Sequence, residues 1–254
     1  MDLNIINSFL FHPRESYGEM SKNDMLIDVK DSVQVGARFH LISKSAPTML
    51  FFHGNGEIAP EYDDIANVYN KKNINFIIAD FRGYGFSTGT PNVENTQSDA
   101  HFVLDYVLKY LKEKYYSGSL ILMGRSLGSV SVLELAKRYP QDFSGLIIEI
   151  GFADEEPLFT LIGTTPDSVG FKKEDGFLNR EKIKKYTGPL LIIHAKQDHI
   201  IPFSQGKILH DTCPSKNKKF LPIPNANHNN ILGVDPQRYF EEIGSFINLS
   251  SSRL

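Results

Sequence analysis

The chain has 254 residues, 41% hydrophobic and 22% charged, the composition of a globular protein able to bury a substantial core. A net charge of −3 gives no electrostatic reason to expect nucleic acid or an acidic membrane surface as partner, and the single cysteine, Cys213, excludes an intrachain disulfide and a cysteine metal cluster. No apolar run approaches the roughly 20 residues that cross a bilayer, and no basic region with a long apolar stretch follows Met1, so a cytoplasmic protein without a signal peptide is expected.

Residues 1–22 are mixed, with one apolar knot at Phe9-Leu10-Phe11-His12-Pro13. Met25–Val29, Val33–Leu41 and Thr48–Phe52 then predict three strands. In the second, Val33, Val35, Ala37, Phe39 and Leu41 alternate with polar or small residues, the pattern of a half-exposed antiparallel strand. The third carries the continuous run Met49-Leu50-Phe51-Phe52 and is expected to be buried on both faces.

Beyond that point strands and helices take turns. A helix over 60–72 precedes a strand at Ile74–Ala79, and a helix over 95–115 precedes the apolar run Leu120–Met123. A helix from Ser129 to Tyr139 is closed by Pro140, and the strand Leu146–Ile150 follows. The strand Leu190–His194, a helix over 204–212, the strand Phe220–Ile223 and a helix over 236–248 complete the chain. This alternation predicts an α/β fold with a mostly parallel sheet and helices on both faces. Without repeats or a linker, residues 1–254 read as one domain. Residues 151–188 interrupt the rhythm and read either as a small cap insertion or as a crossover with a long loop; a short helix is expected from Asn179 to Lys185.

The chemistry centres on Gly124-Arg125-Ser126-Leu127-Gly128, between a predicted strand and a predicted helix. The G-x-S-x-G spacing places a nucleophile on a tight turn where side chains two residues away on either side would collide with it. The helix N-terminus behind the serine favours developing negative charge. In parallel sheets ligands gather at the carboxyl ends of the strands, so the polar residues after each apolar run become candidates. His53-Gly54-Asn55-Gly56 follows the third strand, and the backbone amides of Asn55 and Leu127 are the candidate oxyanion donors. Asp198 follows Leu190–Ile193 and is placed to orient a histidine; His228 follows Phe220–Ile223 and is placed to act as general base. Glu149 and Asp154 are competing acids for the same histidine. Asp80-Phe81-Arg82-Gly83-Tyr84-Gly85-Phe86-Ser87 reads as a turn held by Asp80 and Arg82. No paired metal-ligand spacing occurs, and neither metal nor cofactor is expected.

Ser126, Asp198 and His228, in that chain order, together with the motifs at His53–Gly56, Asp80–Ser87, Asp198–Pro202 and Asn227-His228, resemble the alpha/beta-hydrolase superfamily, in its serine aminopeptidase-like and prolyl-oligopeptidase-like branch. The resemblance spans residues 25–248. It implies an eight-stranded, mostly parallel sheet, a Ser126–Asp198–His228 triad and an oxyanion hole from the Asn55 and Leu127 amides. The expected function is hydrolysis of a small-molecule acyl ester or thioester through an acyl-enzyme. Two alternatives stay open: a peptidase acting on short peptides, with Asp154-Glu155-Glu156 as amine anchor, and a non-catalytic binding protein on the same fold. Leu158, Phe159, Leu161 and Ile162 suit either a pocket wall or core packing. The sequence leaves the oligomeric state open.

Overall fold

The computed structural model describes residue 7 and residues 10–251; Phe9 of the apolar knot lies outside them. Eight strands form one sheet: β1 (Asp24–Asp28), β2 (Gln34–His40), β3 (Thr48–Phe52), β4 (Asn75–Ala79), β5 (Leu120–Arg125), β6 (Gly145–Glu149), β7 (Leu190–Ala195) and β8 (Lys218–Ile223). Their spatial order is β1-β2-β4-β3-β5-β6-β7-β8. The pairs β1–β2 and β2–β4 are antiparallel, and every pair from β4–β3 to β7–β8 is parallel.

Side chains of successive strand residues enter opposite cores, as a period of two requires. Leu120 and Leu122 of β5 join the cluster containing Val103, Leu104 and Val107 of α2 (Val93–Glu113) and Val130 and Leu133 of α3 (Gly128–Arg138). Ile121 and Met123 face the other way, toward Ala66 and Tyr69 of α1 (Asp63–Lys71) and Tyr239 and Ile243 of a C-terminal helix, Pro236–Ser251. A strand between two helical layers has no polar face, which is why β3 to β7 read as unbroken apolar runs.

The half-exposed reading of β2 is corrected. The strand is antiparallel, but every residue from Val35 to Phe39 is buried. Arg38, on the face expected to meet solvent, is enclosed by Asp24 at 2.8 Å and Asp63 at 2.9 Å. Alternation in sequence marked the two faces; ion pairing let the polar one be buried.

Residues 151–188 carry α4 (Glu156–Leu161), two single 3-10 turns and α5 (Asn179–Ile183). The segment is tied down at its ends. Gln205 accepts the Ala153 and Asp154 N–H groups at 2.9 and 3.0 Å, and Asn179 donates to the Phe152 carbonyl at 3.0 Å. Two further helices, α6 (Phe203–Thr212) and α7 (Ile231–Val234), precede the C-terminal α8, Pro236–Ser251.

Candidate active site

Between β3 and β5 the strand order reverses: the chain runs outward from β3 to β4, then returns to add β5 on the other side. At such a point the loops beyond the two strand ends diverge and leave a crevice. The loop after β3 is His53–Gly56, and the turn after β5 is the Ser126 turn.

Ser126 sits at φ +50°, a left-handed conformation uncommon for a residue with a side chain. The turn is held by the Ser126 N–H to Glu149 carbonyl bond at 2.9 Å and by the Ser129 hydroxyl on the Ser126 carbonyl at 2.6 Å. The flanking glycines are required by close approach. A Cβ on Gly124 would stand 2.3 Å from the Gly128 carbonyl oxygen, and one on Gly128 would stand 2.0 Å from the Phe52 carbonyl oxygen. The helix α3 therefore begins against the end of β3, which brings the Leu127 amide beside the loop carrying Asn55. Among the described residues, neither of these two N–H groups has an intramolecular acceptor.

Asp198 and His228 are brought together. The Nδ1 of His228 lies 2.9 Å from Asp198 Oδ2 and 3.1 Å from Oδ1. The same carboxylate accepts the Ile200 and Ile201 N–H groups at 2.9 and 2.8 Å. Burial raises the Asp198 pKa, but the His228 hydrogen bond and charge and the two amides outweigh it, so the carboxyl is held below its ordinary value. With Nδ1–H donating to Asp198, the other ring nitrogen of His228 is left as an acceptor. Ser126 and His228 both line one cavity of about 270 Å³, with Leu10, Gly54, Asn55, Leu127, Phe152 and Leu158 also in its wall.

The competing acids are engaged elsewhere. Glu149 is buried and paired with Arg125 and the Tyr239 hydroxyl; Asp154 is paired with Arg180. His53 is fully buried between two acceptors, the Gly54 carbonyl at 2.7 Å and Asp80 at 3.1 Å. Both ring nitrogens then donate. Burial disfavours that charged ring, but Asp80 more than compensates and raises its pKa. Asp80 and Arg82 do hold their turn: Asp80 also accepts the Ala59 N–H at 2.8 Å, and Arg82 grips Asp99 at 2.7 and 2.9 Å. Of the four apolar residues in the 158–162 stretch, Leu158, Leu161 and Ile162 line the cavity, whereas Phe159 is buried against Phe171.

Sequence reasoning missed three features. Glu57 reaches the cavity wall and accepts the Gly54 N–H at 2.6 Å. Arg125 joins Glu57, Glu149 and the His228 carbonyl. The Asn55 side chain fastens the segment Leu10–His12 beside the site, accepting the His12 N–H at 2.8 Å and donating to the Leu10 carbonyl at 2.9 Å. The charged residues Glu57 and Arg125 inside otherwise apolar or glycine-rich motifs were the available signal.

The sequence pattern of the family described as serine aminopeptidase, S33, matches residues 43–156. The chain is 30% identical over 208 residues to alpha/beta hydrolase domain-containing protein 17C of Mus musculus, an overlap of 79% of this chain and 59% of that protein. It therefore spans about three fifths of the length of the 17C relatives. Protein bem46 of Schizosaccharomyces pombe is 30% identical over 212 residues, 80% of this chain and 68% of bem46. Among solved structures, an esterase from Pyrococcus furiosus superposes with a TM-score of 0.74 at 17% identity, covering 93% of this chain and 98% of that one. Est1E from Butyrivibrio proteoclasticus, with ferulic acid bound, superposes with a TM-score of 0.72 at 20% identity, covering 90% of this chain and 100% of that one. These two establish the shared fold.

Proposed function

The chain belongs to the alpha/beta-hydrolase superfamily, and from that premise we propose that it is a serine hydrolase cleaving carboxylic esters or thioesters. The observation that carries this reading is Ser126 at φ +50° in the wall of the same cavity as His228, whose Nδ1 is 2.9 Å from Asp198. In this reading the Ser126 hydroxyl attacks the substrate carbonyl while His228 takes its proton. The Asn55 and Leu127 amides bind the resulting oxyanion. Collapse expels the alcohol or thiol, which receives that proton from His228 and leaves an acyl-Ser126 ester. Water, deprotonated by His228, then releases the acid and restores the serine. Asp198 keeps the ring in the required tautomer and stabilises its imidazolium form.

The cavity is small and largely apolar, which suits an acyl group of modest size. Residues 151–188 act in this reading as a small cap, contributing Leu158, Leu161 and Ile162 to the wall. The peptidase alternative is less well supported, because it calls for an acidic anchor for the free amine. Asp154 is paired with Arg180, Glu155 accepts the Phe177 N–H at 2.6 Å, and Glu156 is exposed and, like the other two, does not line the cavity.

A fluorophosphonate probe, read by intact mass and peptide mapping, tests the assignment. An adduct on Ser126 is expected in the wild type and is expected to be lost in His228→Ala. Folded wild type that takes no adduct refutes the reading. Ester, thioester and aminoacyl-amide substrates assayed side by side then separate hydrolysis of acyl esters from peptidase activity.

A further inference from the structure

We propose that Arg125, the residue immediately before the nucleophile, is a positioning residue that holds the His228 loop and the oxyanion loop at a fixed separation. The proposal rests on the triad reading above. Those two loops leave β8 and β3, and three strands stand between β8 and β3 in the sheet. The two strands are not paired directly but only through the successive ladders of β5, β6 and β7, so the fine placement of the loops beyond their ends also depends on side chains that link those loops.

Arg125 reaches both. Its Nη2 donates to the His228 carbonyl at 2.9 Å, and its Nε donates to Glu57 Oε1 at 2.9 Å. The second oxygen of Glu57 accepts the Gly54 N–H at 2.6 Å, one residue before Asn55, and the Tyr62 hydroxyl at 2.5 Å. The remaining guanidinium arm, Nη1, is paired with Glu149, itself held by the Tyr239 hydroxyl. The result is a continuous path from the backbone of the oxyanion loop, through Glu57 and Arg125, to the backbone of the general base. Its links are charge-assisted, and the planar guanidinium fixes the angle between them.

A role in stability alone explains this arrangement poorly. Arg125 is buried, and enclosing one arginine with two carboxylates carries a desolvation cost that apolar packing of the same volume avoids. What apolar packing cannot supply is directed attachment to two loops at once. Lysine cannot supply it either, because one ammonium group cannot present three fixed donors in a plane.

The test uses the 254-residue chain with p-nitrophenyl butyrate and the fluorophosphonate probe. Arg125→Lys keeps the charge and removes the fork. Glu57→Gln keeps the shape but leaves one acceptor oxygen, so its amide must face either Gly54 N–H or Arg125 N–H, donor against donor. Both variants are expected to lose about 100-fold in kcat and in the probe labelling rate, with KM nearly unchanged, the signature of misplaced groups rather than lost substrate contacts. The double variant is expected to be no worse than either single one, because both break the same path.

Tyr186→Phe serves as the stability control. It removes a bond from the Tyr186 hydroxyl to the Pro189 carbonyl, at the opposite end of β7 from the site, and is expected to lower the melting temperature without changing kcat. If Arg125→Lys does not fold, Glu57→Gln decides alone. Folded Glu57→Gln with wild-type kcat overturns the proposal while the triad stands. Wild-type protein that takes no label at Ser126 overturns both.

Discussion

Replacing Gly128 with alanine tests how the two amides proposed as oxyanion donors, those of Asn55 and Leu127, are brought together. Alanine is the better helix former by about 1 kcal/mol, so Gly128→Ala at the first turn of α3 should stabilise if helix propensity governed the site. The geometry says otherwise. A Cβ there would lie 2.0 Å from the Phe52 carbonyl oxygen, 2.6 Å from its carbon and 2.9 Å from the His53 oxygen, all backbone atoms. Restoring ordinary contact at 3.4 Å requires a separation of about 1.4 Å between the start of α3 and the end of β3. The Leu127 amide moves with one and the Asn55 amide with the other. A displacement of that size takes one donor beyond hydrogen-bond reach of an oxyanion held by its partner. The expected loss is about 100- to 1000-fold in kcat, with about 1–3 kcal/mol of stability lost to overpacking. Gly244 in α8 is the matched control: a Cβ there meets nothing within 4 Å, so Gly244→Ala should stabilise by up to about 1 kcal/mol. Urea titrations and esterase kinetics on both variants give the answer. A Gly128→Ala protein with wild-type kcat would refute the close-approach argument.

Asp198→Asn should lower kcat by about 10⁴-fold through the wrong histidine tautomer, measured on the same ester. Because the folded Asp198 pKa is depressed, its stabilisation is fully present above about pH 4 and is lost as pH falls through the lower folded value. The stability gap between wild type and Asp198→Asn should therefore stay constant down to about pH 4 and narrow as the pH falls below it, as followed by thermal melts. Asn55→Ala keeps the backbone amide proposed to bind the oxyanion but releases Leu10 and His12, so KM should rise while kcat changes by less than about threefold. Burial pushes the Lys182 pKa down to about 8 despite its pairing with Glu134. The folded state then sheds this proton before the unfolded state does, and stability relative to Lys182→Met should rise between about pH 8 and 10.5, by up to about 3 kcal/mol. Denaturant melts at pH 7.5 and 9.5 measure it, and a constant difference would show that the buried ammonium carries no penalty.

The amino-acid sequence by itself determined the strands from β3 to β7 and their burial, because a strand covered on both faces carries a continuous apolar run through its centre, with polar residues such as Thr48, Asn75, Arg125 and Glu149 confined to its ends. It also determined the Ser126 turn, whose glycine spacing is a local steric requirement, and the loops that carry Asp198 and His228, since each follows an apolar run. Only the tertiary structure decided how the polar residues pair. That Arg38 of β2 is buried depends on Asp63, and that Glu149 is unavailable to His228 depends on Arg125 and Tyr239. Arg125 and Glu57 are 68 positions apart, and Arg125 and His228 are 103 apart. Contacts of that range leave no periodic trace in a chain. Local sterics and burial act on neighbouring residues and can be read along the sequence; a buried charge is compensated by whichever partner the fold brings within about 3 Å, and that is settled only when the sheet and its loops have assembled.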